Sequence, residues 1–142
     1  MTPKDQQLID LLKVNAREPV ASLARKLGVA RSTVKERLSR LEATGVISGY
    51  TVQLGQAAGA STITAHVLLA VDPKRADAFI QELKSLPAVR GLYSIAGAYD
   101  YLAVIETPST HETDAVLDRI GRIDGVTKTE SSIALSVKFQ RS

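Results

Sequence analysis

The sequence predicts an α+β molecule of two modules, an N-terminal winged helix-turn-helix and a C-terminal ferredoxin-like β-α-β-β-α-β sandwich. Three observations predict it. In the first third, apolar residues recur at helical spacing in short stretches broken at Pro19 and Gly28. Beyond residue 60, extended β-type runs alternate with amphipathic helical stretches. Between them Gly55-Gln56-Ala57-Ala58-Gly59-Ala60 is small and suited to a hinge. The resulting boundaries are 1–52 for the first module, 53–60 for the linker and 61–142 for the second.

The first helix opens at Thr2-Pro3, where Thr can cap free N–H groups and Pro at the first helical position loses no needed donor. Leu8, Ile9, Leu11 and Leu12 supply its apolar stripe up to about Val14, and Pro19 closes the break that follows. A second helix runs from Val20 to Leu27, with Val20, Leu23, Ala24 and Leu27 on one face. Gly28 ends it in the left-handed position beyond the last turn. The tight Gly28-Val29-Ala30 connection to a third helix is the helix-turn-helix signature.

The third helix, Arg31 to Ala43, carries the chemistry. Val34, Leu38 and Leu41 face the core, which leaves Ser32, Lys35, Glu36, Ser39 and Arg40 on the opposite side. Short hydroxyls and long cations reach base edges and phosphates in a major groove. Ser32, Thr33, Lys35 and Glu36 are the candidates for bases, because the N-terminal part of such a helix enters the groove. Arg31, Arg37 and Arg40 are the candidates for phosphates, and Arg37 serves equally as a structural ion-pair partner. Ala30 offers no side-chain cap, so Ser32 could cap a later start. Gly45 stops the helix, and Val46 to Val52 reads as a strand, the wing.

In the second module, Ser61 to Val71 is the first strand. Asp72-Pro73 opens a helix to about Leu86 with Ala76, Phe79, Ile80 and Leu83 on one face. Val89 to Ala96 and Tyr101 to Thr107 are the next strands, joined by the turn Gly97-Ala98-Tyr99-Asp100. Ser109-Thr110-His111-Glu112 fits a capping box, and Val116, Leu117, Ile120 and Ile123 form the stripe of the helix it opens. After Asp124-Gly125 comes a last strand, in which Ile133, Leu135, Val137 and Phe139 alternate with Ala134, Ser136 and Lys138. Helices cover only one face of such a sheet. Along the first strand both sides are too apolar to stand free, which predicts a homodimer with sheets face to face.

Bulk composition limits the function classes. The chain has 142 residues, 44% hydrophobic and 4% aromatic, so two half-size cores without Trp would gain from burial in an oligomer. The absence of Cys excludes a disulfide scaffold, a Cys-zinc site and thiol catalysis. His66 and His111 sit in no metal-ligand or triad-like spacing, so neither a metal nor a catalytic residue is expected. With no apolar signal segment or bilayer-length run, a cytoplasmic protein without a membrane partner is expected. Through Tyr50 nine Lys and Arg face five acids, whereas nine bases and ten acids follow. Positive charge therefore concentrates on the first module, as double-stranded DNA would require, although a solvated charged face reads the same way.

The run from Leu27-Gly28 through Arg31-Ser32-Thr33-Val34-Lys35-Glu36-Arg37-Leu38 to Gly45-Val46-Ile47-Ser48-Gly49-Tyr50 resembles the Lrp/AsnC family of feast/famine regulators, as does Asn15-Ala16-Arg17. Ala30 departs from that pattern, in which a Ser usually caps the helix. Gly97-Ala98-Tyr99-Asp100-Tyr101-Leu102 is similar to the Gly-x-Tyr-Asp turn of the family's RAM domain, which is ACT-like, so the resemblance covers nearly the whole chain. It implies a transcription regulator without a bound cofactor, assembling from dimers to tetramers or octamers, with an amino-acid effector at RAM-domain interfaces. Gly97, Tyr99 and Asp100 are carried over as effector candidates, and position alone adds Thr129, Ser131 and Ser132. Gly97 and Asp100 would also suit a plain β-turn. Two alternatives stand beside this reading: an effector-independent DNA-binding oligomer, and a tetrapyrrole-pathway decarboxylase similar in its two modules. The second would have no need of a basic, hydroxyl-rich third helix.

Overall fold

A computed structural model describes residues 1–55 and 62–141. Of the expected linker, residues 56–60 lie outside the described residues, as does Ser61, the expected start of the first strand. The chain divides into two compact units, Met1–Leu54 and Gly55–Arg141.

The first unit contains α1 (Pro3–Val14), α2 (Val20–Leu27) and α3 (Arg31–Ala43). Thr2 caps α1 in a reciprocal box: its hydroxyl accepts from the Asp5 N–H, and the Asp5 carboxylate accepts from the Thr2 N–H. Gly28 ends α2 at φ 67°, and the Val29 N–H turns back to the Ala24 carbonyl at 3.0 Å. Leu8, Leu23, Ala24, Leu27, Val34 and Leu41 form the buried core. Ile9, Leu11, Leu12 and Leu38 are only partly buried around it, because three short helices leave one shared seam rather than full stripes. Helix α3 starts at Arg31 with Ala30 as an uncapped N-cap, so Ser32 does not cap a later start.

No strand forms over Val46–Val52. After the Thr44-Gly45 turn the Ile47 N–H reaches the Leu41 carbonyl, and the chain then runs on irregularly with Val52 79% exposed. A strand exists only against a partner, and no described residue pairs with this one.

The second unit follows the order β1 (Ile63–Val71), α4 (Ala76–Lys84), β2 (Val89–Ser94), β3 (Tyr101–Thr107), α5 (Thr110–Gly121) and β4 (Val126–Ile133). The four strands are antiparallel in the order β2-β3-β1-β4, the ferredoxin-like arrangement. Ala65, Val67, Leu69, Ala103 and Ile105 pack beneath Phe79, Leu83, Ile120 and Ile123. The opposite face presents His66, Leu68, Leu102 and Val104, with His66 opposite Val104 and Leu68 opposite Leu102. Asp72 accepts from the Lys74 N–H, but it opens a single 3₁₀ turn, Pro73–Arg75, before α4 begins.

Two expected strand ends and one expected cap differ. Strand β2 stops at Ser94 rather than Ala96, because the turn preceding β3 has already begun. Only half of the capping box at α5 closes: Ser109 accepts from the Glu112 N–H. The last strand ends at Ile133. The Ala134 N–H makes one more bond, to the Thr64 carbonyl; beyond it the chain pairs with no described residue, and Leu135, Val137 and Phe139 stand 96%, 68% and 76% exposed. A buried pair that no sequence pattern announces, the Thr107 and Thr113 hydroxyls 2.6 Å apart, ties β3 to α5.

Candidate DNA interface and effector site

The surface of α3 follows from its seam. Burying Val34 and Leu41 leaves Arg31, Ser32, Lys35, Glu36 and Arg40 exposed and Thr33 half-buried on the flank. Among the described residues, Arg31 and Lys35 are in no ion pair, so their charge faces outward unspent. Arg37 and Arg40 differ. Both reach Asp5 Oδ1 at 3.3 Å, and Arg37 also donates to the Thr2 hydroxyl at 3.2 Å.

Asp5 is buried on α1. The Thr2 backbone N–H, the Thr2 hydroxyl cap and the guanidiniums of Arg40 and Arg37 hold its carboxyl below the ordinary 3.8 against the opposing effect of burial. Glu18 is comparable: an ion pair with Lys26 and the Ser22 hydroxyl at 2.8 Å hold it below 4.5. Lys4 donates to the Leu27 carbonyl and so fastens α1 to the end of α2. Sequence reasoning named Arg37 as an ion-pair partner but missed its acceptor. The signal for Asp5 lay in Thr2-Pro3-Lys4-Asp5, where an acid stands three residues after a capping Thr.

In the second unit, Gly97 adopts φ 149°, a conformation that L side chains rarely take. Asp100 laces the turn to β1. Its N–H donates to the Leu69 carbonyl at 2.9 Å, and its Oδ2 accepts from the Val71 N–H at 2.9 Å, just before β3 begins. Lys128 stands 5.2 Å from the centre of the Tyr99 ring. Thr129 lies opposite Leu69 in the β1–β4 ladder, so Gly97, Tyr99, Asp100 and Thr129 gather at one end of β1. Ser131 and Ser132 do not join them: they lie further along, opposite Val67 and His66, and on different faces of the sheet. Sequence reasoning missed Lys128, although it is the single cation in the hydroxyl-rich run Thr127–Ser132.

One end of β1 therefore combines an acid, an aromatic ring and a cation, groups that suit a small zwitterion, with the Thr129 hydroxyl on the opposite face of the sheet. Among the described residues no group of three or more His, Cys, Asp or Glu could hold a metal ion, and no helix is long and apolar enough to cross a membrane.

Comparison with known proteins bears on both halves. The AsnC-type helix-turn-helix domain matches residues 1–42, and the Lrp/AsnC ligand binding domain matches residues 64–142. The chain belongs to the Lrp/AsnC family. The HTH-type transcriptional regulator LrpA of Pyrococcus horikoshii is 33% identical over 136 residues, covering 93% of this chain and 94% of that one. The regulator FL11 of Pyrococcus furiosus is 30% identical over 133 residues, 94% of this chain and 88% of its own. The feast or famine regulatory protein Rv3291c of M. tuberculosis, solved with L-methionine, superposes with TM-score 0.85 at 28% identity, covering 96% of this chain and 93% of that one. An AsnC family regulator from Agrobacterium tumefaciens shares the fold, with TM-score 0.87 at 21% identity over 100% of this chain and 95% of its own. The Lrp/AsnC relatives are thus DNA-binding transcription regulators with the two-unit architecture found in this chain.

Proposed function

We propose that the chain is a cytoplasmic transcription regulator that binds double-stranded DNA as a homodimer or a larger assembly of dimers and responds to an amino acid. The observation that carries the DNA reading is the surface of α3, with Arg31 and Lys35 exposed and in no ion pair among the described residues, beside exposed Ser32 and Glu36. Ser32, Thr33, Lys35 and Glu36 read base edges, and Arg31 and Arg40 grip phosphates. Arg37, largely covered by Thr2 and Asp5, acts in the fold rather than on DNA.

A twofold dimer presents two such helices to one symmetric site. The half-buried Leu68, Leu102 and Val104 on the open sheet face support sheet-to-sheet pairing. A second copy also supplies a natural source of ladder partners for Val46–Val52 and Leu135–Phe139. Both read as strands in sequence, yet neither pairs with any described residue.

The effector reading rests on the cluster at the end of β1 and on the methionine complex of the 28% identical Rv3291c. Gly97 leaves room beside the backbone, Asp100 Oδ1 accepts from an α-amino group and Lys128 faces the carboxylate, while Thr129, its neighbour on β4, lies on the other face of the sheet and takes part only from there. Ser131 and Ser132 take part only across an interface between protomers. The effector acts by favouring one packing of dimers over another, since a ligand shifts an equilibrium only through unequal affinity for its states.

Two measurements test this reading. In DNA titrations at several salt concentrations, Arg31→Gln lowers affinity and reduces the slope of log K against log salt by about 0.9 for each phosphate it leaves unneutralised. A slope unchanged by Arg31→Gln would remove α3 from the DNA surface. In a thermal-shift screen against the twenty amino acids, one chemical class raises the midpoint and Asp100→Ala abolishes the rise. No rise with any of them leaves the effector-independent oligomer as the function.

A further inference from the structure

Asp5 sits on α1, outside the helix that carries the candidate DNA contacts, yet two cations of that helix end on it. Arg37 is fixed there. Its side chain is 22% exposed and divides its donors between Asp5 Oδ1 and the Thr2 hydroxyl. Arg40, one helical turn on, is 51% exposed and makes a single 3.3 Å contact with the same oxygen. Asp5 is itself held in place: its side chain is 4% exposed and is bound into the capping box through the Thr2 N–H. A buried carboxylate thus holds, by one contact, a half-exposed guanidinium on the helix that carries the candidate DNA contacts.

We propose that Asp5 is a positioning residue that withholds Arg40 from sequence-independent phosphate contacts and yields it only where the fit to DNA is close. The proposal rests on the DNA-binding reading of α3 and adds to it a source of discrimination. A helix whose cations all stood free would hold any duplex, because phosphate contacts carry no sequence information. A half-exposed pair is weak enough for a well-placed phosphate to displace. A poorly placed phosphate does not displace it, since it loses to a carboxylate already held at hydrogen-bond distance. The device is a penalty on the wrong partner rather than a bond to the right one.

The experiment measures binding of the full chain to a random-sequence duplex as salt is varied. Asp5→Asn keeps an acceptor for the Thr2 N–H and removes the charge. It is expected to tighten this binding and to steepen the salt slope by about 0.9 for each additional phosphate neutralised. Asp5→Glu keeps charge and capping box, glutamate being the usual residue at that position of the box, and is expected to retain the unsubstituted slope. Adding Arg40→Gln to Asp5→Asn is expected to cancel the increase, which a merely structural role for Asp5 would not produce. An unchanged slope in Asp5→Asn overturns the proposal, as does an increase that survives Arg40→Gln. If Asp5→Asn does not fold, Arg40→Gln alone decides. On the random-sequence duplex, where Asp5 keeps Arg40 from the phosphates it grips at a matched site, an unchanged slope supports withholding, and a fall of about 0.9 per helix overturns it, since Arg40 would already be on phosphate. Absence of any salt-dependent binding by the unsubstituted chain overturns the DNA reading itself, and this inference with it.

Discussion

Asp5 and Glu18 are carboxylates whose charged forms the first unit has built into its joints. The Thr2 backbone N–H and two guanidiniums favour ionised Asp5, and Lys26 with Ser22 favours ionised Glu18, so both groups titrate below their ordinary 3.8 and 4.5. A carboxyl with a lowered folded-state pKa stabilises the fold fully above its ordinary value. That contribution is lost as pH falls through the ordinary value toward the lowered one, because the unfolded chain binds the proton first. Urea unfolding followed by far-UV dichroism is therefore expected to give a midpoint that these two groups leave flat from about pH 7 to about pH 5 and lower progressively below that. The double variant Asp5→Asn, Glu18→Gln is expected to start from a lower midpoint at neutral pH and to lose less of it on acidification. A descent of equal steepness in the variant would assign acid lability to other carboxylates.

At the scale of elements, α3 lacks a device that α1 and α5 possess. Thr2 and Ser109 accept from the backbone of their helices, whereas Ala30 leaves the first N–H groups of α3 without a side-chain acceptor. Ala30 holds φ −71° and ψ 153°, the extended geometry an N-cap requires, so Ala30→Ser is expected to stabilise the protein by about 1 kcal/mol in denaturant titrations. A gain near zero would mean that water already satisfies those donors. The same elements show what a sequence can carry. Helix limits were legible because their causes are local: Pro3, Pro19 and Gly28 act on their own neighbours. The open strands were legible only as tendencies. Val46–Val52 reads as a strand and Leu135–Phe139 alternates as a strand should, but pairing depends on what lies alongside, and that is no property of the segment. The effector turn was half legible. Its glycine and acid stood out as turn residues, whereas the Asp100 bond to the Val71 N–H and the approach of Lys128 to Tyr99 depend on strand register, which no motif records. Gly125 is a similar case. Its φ of 97° was foreseeable in a turn, but the Arg75 side chain that fills the space of a missing Cβ was not.

For the whole molecule the consequence lies in how little each unit buries. Six residues make the buried core of the first unit, and the second spends both of its helices on one face of a four-stranded sheet. Val104 lies near the middle of the other face, opposite His66 on β1 and Gly91 on β2, with Leu102 two residues away on the same strand. Its side chain points away from Phe79, Leu83 and Ile120, so a polar residue there leaves the helix-covered core intact. Val104→Glu is therefore expected to keep the far-UV dichroism of the folded protomer while dissociating the proposed dimer in sedimentation experiments. A carboxylate pressed between two sheets without a partner loses its hydration and gains nothing in return. DNA affinity should fall with it, since one protomer offers a single recognition helix to a site built for two. If Val104→Glu remained dimeric, the contact would lie elsewhere, and the segments Val46–Val52 and Leu135–Phe139, which pair with no described residue, would be left to hold two copies together by strand pairing alone.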